Sequence, residues 1–196
     1  MLFRSGGKLS LASPMLFACG FLSLFLIGGL TGIMLGAAPF DFQLQDTYFL
    51  IGHFHFVLIG GTLFGVFAGI HYWFPKMTGR MLSERLARWQ FWLLYVGFLL
   101  TFGTMHISGV LGMPRRIYTY DADRGWALLN QLTTLGAIIQ VPSFVLFVWN
   151  VFASLRYNVI SRGHHLRSIW VVRALVLLVV ASAAAAIAAR LFGGWN

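Results

Sequence analysis

Apolar and polar positions alternate along this chain in long blocks, not with the short period of a strand. Five apolar runs cover about residues 14–36, 47–74, 89–111, 128–155 and 168–191. Each is long enough for a helix to cross a hydrocarbon core of roughly 30 Å. The pattern predicts an all-α, polytopic transmembrane helix bundle of about five spans. The first run carries Gly28, Gly32 and Gly36 at every fourth position, a close-packing face for a neighbouring helix. Pro75 and Lys76 are expected to end the second run, and Pro142 to kink the fourth where neighbours tolerate it. Short polar gaps separate the runs: 37–45 with Pro39 and Asp41, 76–88 with four basic residues and Glu84, and 113–124, dense in charge.

Composition narrows the class. Only 10% of the 196 residues are charged and 59% are hydrophobic, against about 25% charged in soluble domains. The formal charge of +9 is confined to the gaps, which fits the positive-inside rule and argues against a nucleic-acid surface. With the amino terminus on the cytoplasmic side, ten Lys/Arg fall inside: Arg4, Lys8, Lys76, Arg80, Arg85, Arg88, Arg156, Arg162, Arg167 and Arg173. Four fall outside: Arg115, Arg116, Arg124 and Arg190. Cys19 stands alone, so no internal disulfide is expected. No cleavable signal or internal repeat is visible, and only the alanine-rich patch 181–189 approaches low complexity.

Candidate chemistry concentrates at Asp46-Thr-Tyr-Phe-Leu-Ile-Gly-His53-Phe-His55-Phe-Val, at the start of the second run. Helical residues turn by about 100° each, so His53 and His55 point about 200° apart and cannot share one metal ion. Two centres, one on either face, would suit them. Haem fits best, because it offers an axial iron site to a histidine and carries propionates. Arg115 and Arg116 fall on the same predicted side, where such anions would match them. Simpler readings stay open: hydrogen-bonded core histidines, and arginines against lipid headgroups. Asp41 and Asp46 are open to binding a hard cation, sharing a proton with a propionate, or solvating the loop. His71 and His106 read as locally hydrogen bonded, His164 and His165 as a solvated surface, and Glu84 as an ordinary surface ion pair.

Three long motifs then carry a family resemblance. Asp46-Thr-Tyr-Phe through His53-Phe-His55-Phe-Val, Tyr72-Trp-Phe-Pro-Lys-Met-Thr-Gly-Arg, and Gly112-Met-Pro-Arg-Arg-Ile-Tyr-Thr-Tyr resemble the catalytic subunit I of the haem–copper cytochrome c oxidase family. Ser13-Pro-Met-Leu-Phe and Gly28-Gly-Leu-Thr-Gly resemble its ninth helix, and the details are similar to the bacterial caa3-like branch, which often adds helices after the twelfth. The resemblance implies a partial subunit I fold. Residues 1–157 would be the carboxy-terminal part of the core, with four helices. Residues 158–196 would be an inner basic connector and an additional transmembrane helix.

It implies His53 as axial ligand of the high-spin haem, hence the catalytic position, and His55 as axial ligand of the low-spin haem. Arg115 and Arg116 would hold propionates, with Asp41 in the propionate region and Asp46 in the magnesium region. The sequence departs where Gln45 replaces the usual histidine, Phe56 a common tyrosine, and Gly103-Thr104 a phenylalanine–proline; the first puts magnesium in question.

The implied function is that part of a respiratory terminal oxidase: cytochrome c oxidation, oxygen reduction to water and proton translocation. Two haems, a-type by resemblance, would be cofactors, with copper ligated by helices this chain lacks. The implied partners are the remainder of subunit I, subunits II and III, cytochrome c and membrane lipid, with no nucleic acid. The implied location is the bacterial plasma membrane ahead of the mitochondrial inner membrane. This chain would not act alone. Rival readings are a non-catalytic haem-binding electron-transfer anchor, completed by His71 or His106, and an inactive fragment.

Overall fold

The computed structural model describes residues 10–157 and the isolated positions Leu177 and Ala181. Helix α1 is Ser13–Gly36 and the short α2 is Ala38–Leu44. The second span joins α3 (Tyr48–His55), a π-helical stretch π1 (Phe56–Leu63) and α4 (Phe64–Thr78). The third joins α5 (Glu84–Phe98), π2 (Leu99–Gly103) and α6 (Thr104–Val110). A single 3₁₀ turn, Ala122–Arg124, precedes α7 (Ala127–Tyr157). Among the described residues four helices are long and apolar enough to span a membrane. The fifth expected span, 168–191, lies outside the described residues, as do His164 and His165.

Local chemistry sets most boundaries. Pro14 lies in the first turn of α1 and Pro39 in that of α2, where the missing N–H costs nothing. Thr47 caps α3 by accepting from the Phe49 N–H at 3.2 Å. The second span runs on through Pro75 to Thr78, and Gly79, at φ 66°, stops it by donating to the Pro75 carbonyl at 2.9 Å. The expected stop at Pro75 and Lys76 is therefore corrected: a proline so close to the end removes one ladder bond, while the left-handed glycine supplies the cap.

The third span begins at Glu84, five residues before the expected Trp89. Glu84 has two partners that account for this. It pairs with Arg88 at 3.0 Å, and it accepts from both the N–H and the hydroxyl of Ser13 at 2.7 and 2.8 Å. It thus ties the starts of α1 and α5 together, so the surface-ion-pair reading caught only half of its role. Residues 37–45 likewise hold a helix, α2, where a connector was expected. Pro142 lies inside a continuous α7.

The core is aromatic. Phe17, Phe56, Phe64, Phe67, Phe91, Phe98 and Phe102 are buried in one cluster with Leu24 and Leu94. In lipid such rings gain little from leaving water, so close packing carries the association. A Cβ on Gly20 would come within 2.8 Å of Phe91 and 3.0 Å of Phe64. Gly28 and Gly32 likewise face Val57 and His53, whereas at Gly36 no described residue lies within 4 Å of such a Cβ.

Helix α7 lies against the third span and the residues just before it through a polar seam. Thr104 and Thr133 hydroxyls meet at 2.6 Å, and Gln140 Nε2 donates to Thr101 Oγ1 at 2.8 Å. Asn150 Oδ1 accepts from the Ser83 N–H at 2.9 Å, and Ser154 Oγ donates to the Met81 carbonyl at 2.9 Å. Outside the core, α1 exposes Leu22, Leu26, Leu30 and Ile33 along one stripe. Such a surface suits hydrocarbon or further helices.

Candidate cofactor-binding site

The site is built on α3. His53 and His55 precede π1, so the α-helical turn between them is intact, and they face different neighbours. His53 turns to α1. Its Nδ1 lies 3.0 Å from the Gly28 carbonyl and 3.0 Å from Thr31 Oγ1, while the Thr31 hydroxyl gives its own proton to the same carbonyl at 2.9 Å. A carbonyl only accepts, so Nδ1 carries the hydrogen and, in the neutral ring, Nε2 keeps its lone pair. Gly32 leaves room for the ring, since a Cβ there would lie 2.9 Å from Cε1.

His55 turns to the third span. Its Nδ1 donates to the Ile51 carbonyl at 2.7 Å, one turn back, and its ring stacks on Phe102 of π2 at 4.1 Å and 12°. The same reasoning leaves Nε2 as the nitrogen with the lone pair. Both rings are half-buried. Each ring is fixed through Nδ1, the arrangement that orients a histidine ligand and raises its basicity toward a metal. The donor sets therefore fit an axial site on haem iron, one on each side of α3.

The α3 entrance is clipped to the loop after α6. Thr47 and Pro114 form an isolated antiparallel bridge, the Tyr48 N–H donates to the Met113 carbonyl at 3.0 Å, and the Arg115 N–H to the Asp46 carbonyl at 2.8 Å. The Arg115 guanidinium also forms an ion pair with the Asp46 carboxylate. Asp46 and Arg116 adopt left-handed backbone at φ 61° and 66°, uncommon for non-glycine residues and frequent at ligand clamps. Arg116 is exposed and, among the described residues, forms no ion pair. Asp41 sits in the first turn of α2, half-buried, without an ion pair to either arginine.

For magnesium the fit is poor. Asp46 is already engaged by Arg115 and Gln45 is exposed. Among the described residues no group of three His, Cys, Asp or Glu could hold a metal ion.

His71 and His106 form the local bonds expected of them, each Nδ1 donating to the carbonyl four residues back at 2.8 Å. His71 lies between Phe17 and Phe147, and His106 against Phe49 and Phe56. Their Nε2 atoms are buried and have no hydrogen-bond partner among the described residues. Sequence reasoning missed Thr31, Phe102 and the Asp46–Arg115 pairing. The Gly28–Gly32 spacing pointed to close contact but not to which side chain would use it.

Comparison with known proteins follows this geometry. A family profile described as Cytochrome C and Quinol oxidase polypeptide I matches residues 1–139. Cytochrome c oxidase subunit 1 of Synechocystis sp. is 54% identical over 150 residues, covering 76% of this chain and 27% of that protein. Quinol oxidase subunit 1 of Bacillus subtilis is 46% identical over 152 residues, covering 78% and 23%. A solved structure titled as a heme-copper terminal oxidase dimer superposes with a TM-score of 0.64 at 24% identity, covering 74% of this chain and 27% of its own, a likeness of fold. The chain spans about a quarter of the length of the relatives it matches.

Proposed function

This chain belongs to the family of cytochrome c and quinol oxidase polypeptide I, and from that premise we propose that it supplies the axial histidines of two haems in a respiratory terminal oxidase. The observation that carries the reading is the pair of Nδ1-anchored imidazoles on α3, one held by α1 and the other stacked on π2. His53 serves the high-spin, oxygen-binding haem and His55 the low-spin haem. When bound, the two haems supply electron transfer and dioxygen binding.

The protein's own part is positional. Gly28 and Thr31 fix the rotation of the His53 ring, Phe102 and the Ile51 carbonyl that of His55. Arg116, exposed and unpaired among the described residues, and Arg115, shared with Asp46, offer donors to carboxylates at the mouth of the site. Asp41 belongs to the same propionate region. Copper ligands come from the remainder of subunit I, with which residues 1–157 complete the core. Residues 158–196 add a connector and a further helix.

The assembly also includes subunits II and III, in a bacterial plasma membrane with the amino terminus cytoplasmic. We take cytochrome c as the electron donor and oxygen reduction as coupled to proton translocation. The relatives include both cytochrome c and quinol oxidases, so oxidation of quinol but not cytochrome c by the assembled enzyme would replace that donor.

The test is spectroscopic, on the enzyme assembled with the rest of subunit I. His53→Ala is expected to abolish the carbon-monoxide-binding haem signal and keep the low-spin one, and His55→Ala the reverse. Loss of the same single signal in both variants would overturn the assignment.

A further inference from the structure

At the end of the bundle where α1 and α5 begin, an open cavity of about 470 Å³ is lined by Glu84, Arg85, Arg88, Trp89 and Trp92. The two arginines differ. Arg88 is held by Glu84 at 3.0 Å and reaches the Leu11 carbonyl at 3.4 Å. Arg85 is exposed and, among the described residues, has no ion-pair or hydrogen-bond partner. The Glu84 charge is already satisfied by Ser13 and Arg88, so Arg85 leaves the cavity with an uncompensated positive charge.

Arg85, Arg88, Trp89 and Trp92 stand at i, i+3, i+4 and i+7, which is one face of α5. From Arg85 to Trp92 that face climbs about 10 Å along the helix, from the polar end of the span toward its apolar middle. Trp89 and Trp92 are 45% and 52% exposed. Trp92 is braced edge-on by Phe91 and Tyr95, so the ring is held in place. Indole rings of this kind belong at the level between headgroups and acyl chains, and basic pockets at helix ends recognise anionic headgroups.

We propose that this groove is a binding site for an anionic phospholipid, with the phosphodiester on Arg85 and Arg88 and the glycerol and upper acyl chain along Trp89 and Trp92. A free phosphate ion would use the arginines and leave the two indoles without a role, so the continuous face from cation to aromatic selects the lipid.

The experiment uses the assembled oxidase, transferred from phosphatidylcholine nanodiscs doped with phosphatidylglycerol and read by native mass spectrometry. The wild type is expected to retain phosphatidylglycerol and Arg85→Gln to retain about tenfold less, the effect of losing one charged hydrogen-bond donor. Lys76→Gln, which removes a cation lying outside the groove over Tyr72, is expected to retain it as the wild type does. Equal retention by Arg85→Gln, or equal loss in Lys76→Gln, overturns the site. Displacement of the lipid by inorganic phosphate alone shows a free-anion site and overturns the lipid. A photoactivatable phosphatidylglycerol on the unmodified enzyme gives an independent check: labelling within residues 84–92 is expected, and its absence from that segment overturns the proposal.

Discussion

The two sides of α3 solve the same problem in different ways. On one side the His53 ring is positioned by another helix: its Nδ1–H meets the Gly28 carbonyl and the Thr31 hydroxyl, and Gly32 clears its path. On the other side His55 is positioned by its own helix and by a stacked ring, through Ile51 and Phe102. A ring held across a helix interface registers any shift between α1 and α3. One held within its own turn moves with α3 as a unit. The difference teaches that two identical residues two positions apart can be given separate mechanical supports, so each ring can be perturbed without the other.

The sharpest way to break the comparison is Gly32→Val. Even a Cβ at this position comes within 2.9 Å of the His53 ring, and Val adds two methyl groups. The expected result is loss of the His53-linked haem signal with the His55-linked signal retained, read from the optical spectrum of the assembled enzyme. Phe102→Ala tests the other side. Truncating a buried ring costs about 3–5 kcal/mol, so a lower unfolding temperature is expected, with a shift in the low-spin haem potential and little change in the high-spin one.

Thr31→Val removes one acceptor and leaves the Gly28 carbonyl in place. A change of about 0.5–1.5 kcal/mol is expected, visible as a shift in the His53-linked potential alone under redox titration. The smallest effect belongs to Asp46→Asn at the α3 entrance. Its carboxylate is 66% exposed, and exposed ion pairs contribute about 0–1 kcal/mol. A slight, salt-sensitive drop in thermal stability is expected, with both haem signals unchanged in kind.

The four described spans were legible because an apolar run long enough to cross a bilayer has few alternative folds. Boundaries failed where charge and geometry competed. Glu84 reads as a connector residue, yet it opens α5 because Ser13 on a distant segment needs its oxygens. Pro75 reads as a stop, but Gly79 supplies the left-handed cap. Neither π stretch was legible, since one wider turn barely alters apolar periodicity. Both border His55: π1 begins at the next residue and π2 carries Phe102.

At the candidate site, residue spacing alone placed His53 and His55 on different faces. The neighbours that hold them, Thr31 and Phe102, come from other spans, and no local pattern specifies such contacts. Arg115 and Asp46 were expected at the same end of the bundle. That they pair with each other depends on the Thr47–Pro114 bridge and two left-handed residues, which the sequence does not announce.

The polar seam between the third span and α7 also constrains how the chain enters a membrane. Gln140, Asn150 and Ser154 on α7 find their partners on Thr101, Ser83 and Met81, at or beside the other span. Left alone in hydrocarbon, Asn150 and Ser154 would lose these partners and Gln140 would keep only its long contact with the Gly136 carbonyl at 3.5 Å. Helix α7 is therefore best released from the insertion machinery directly onto the third span, as a late arrival docking on a waiting partner. A ribosome-bound chain stopped before residue 127 would present the complementary half of that seam, with Thr101 and Thr104 donating to carbonyls of their own span and their oxygens open to the donors the next span brings.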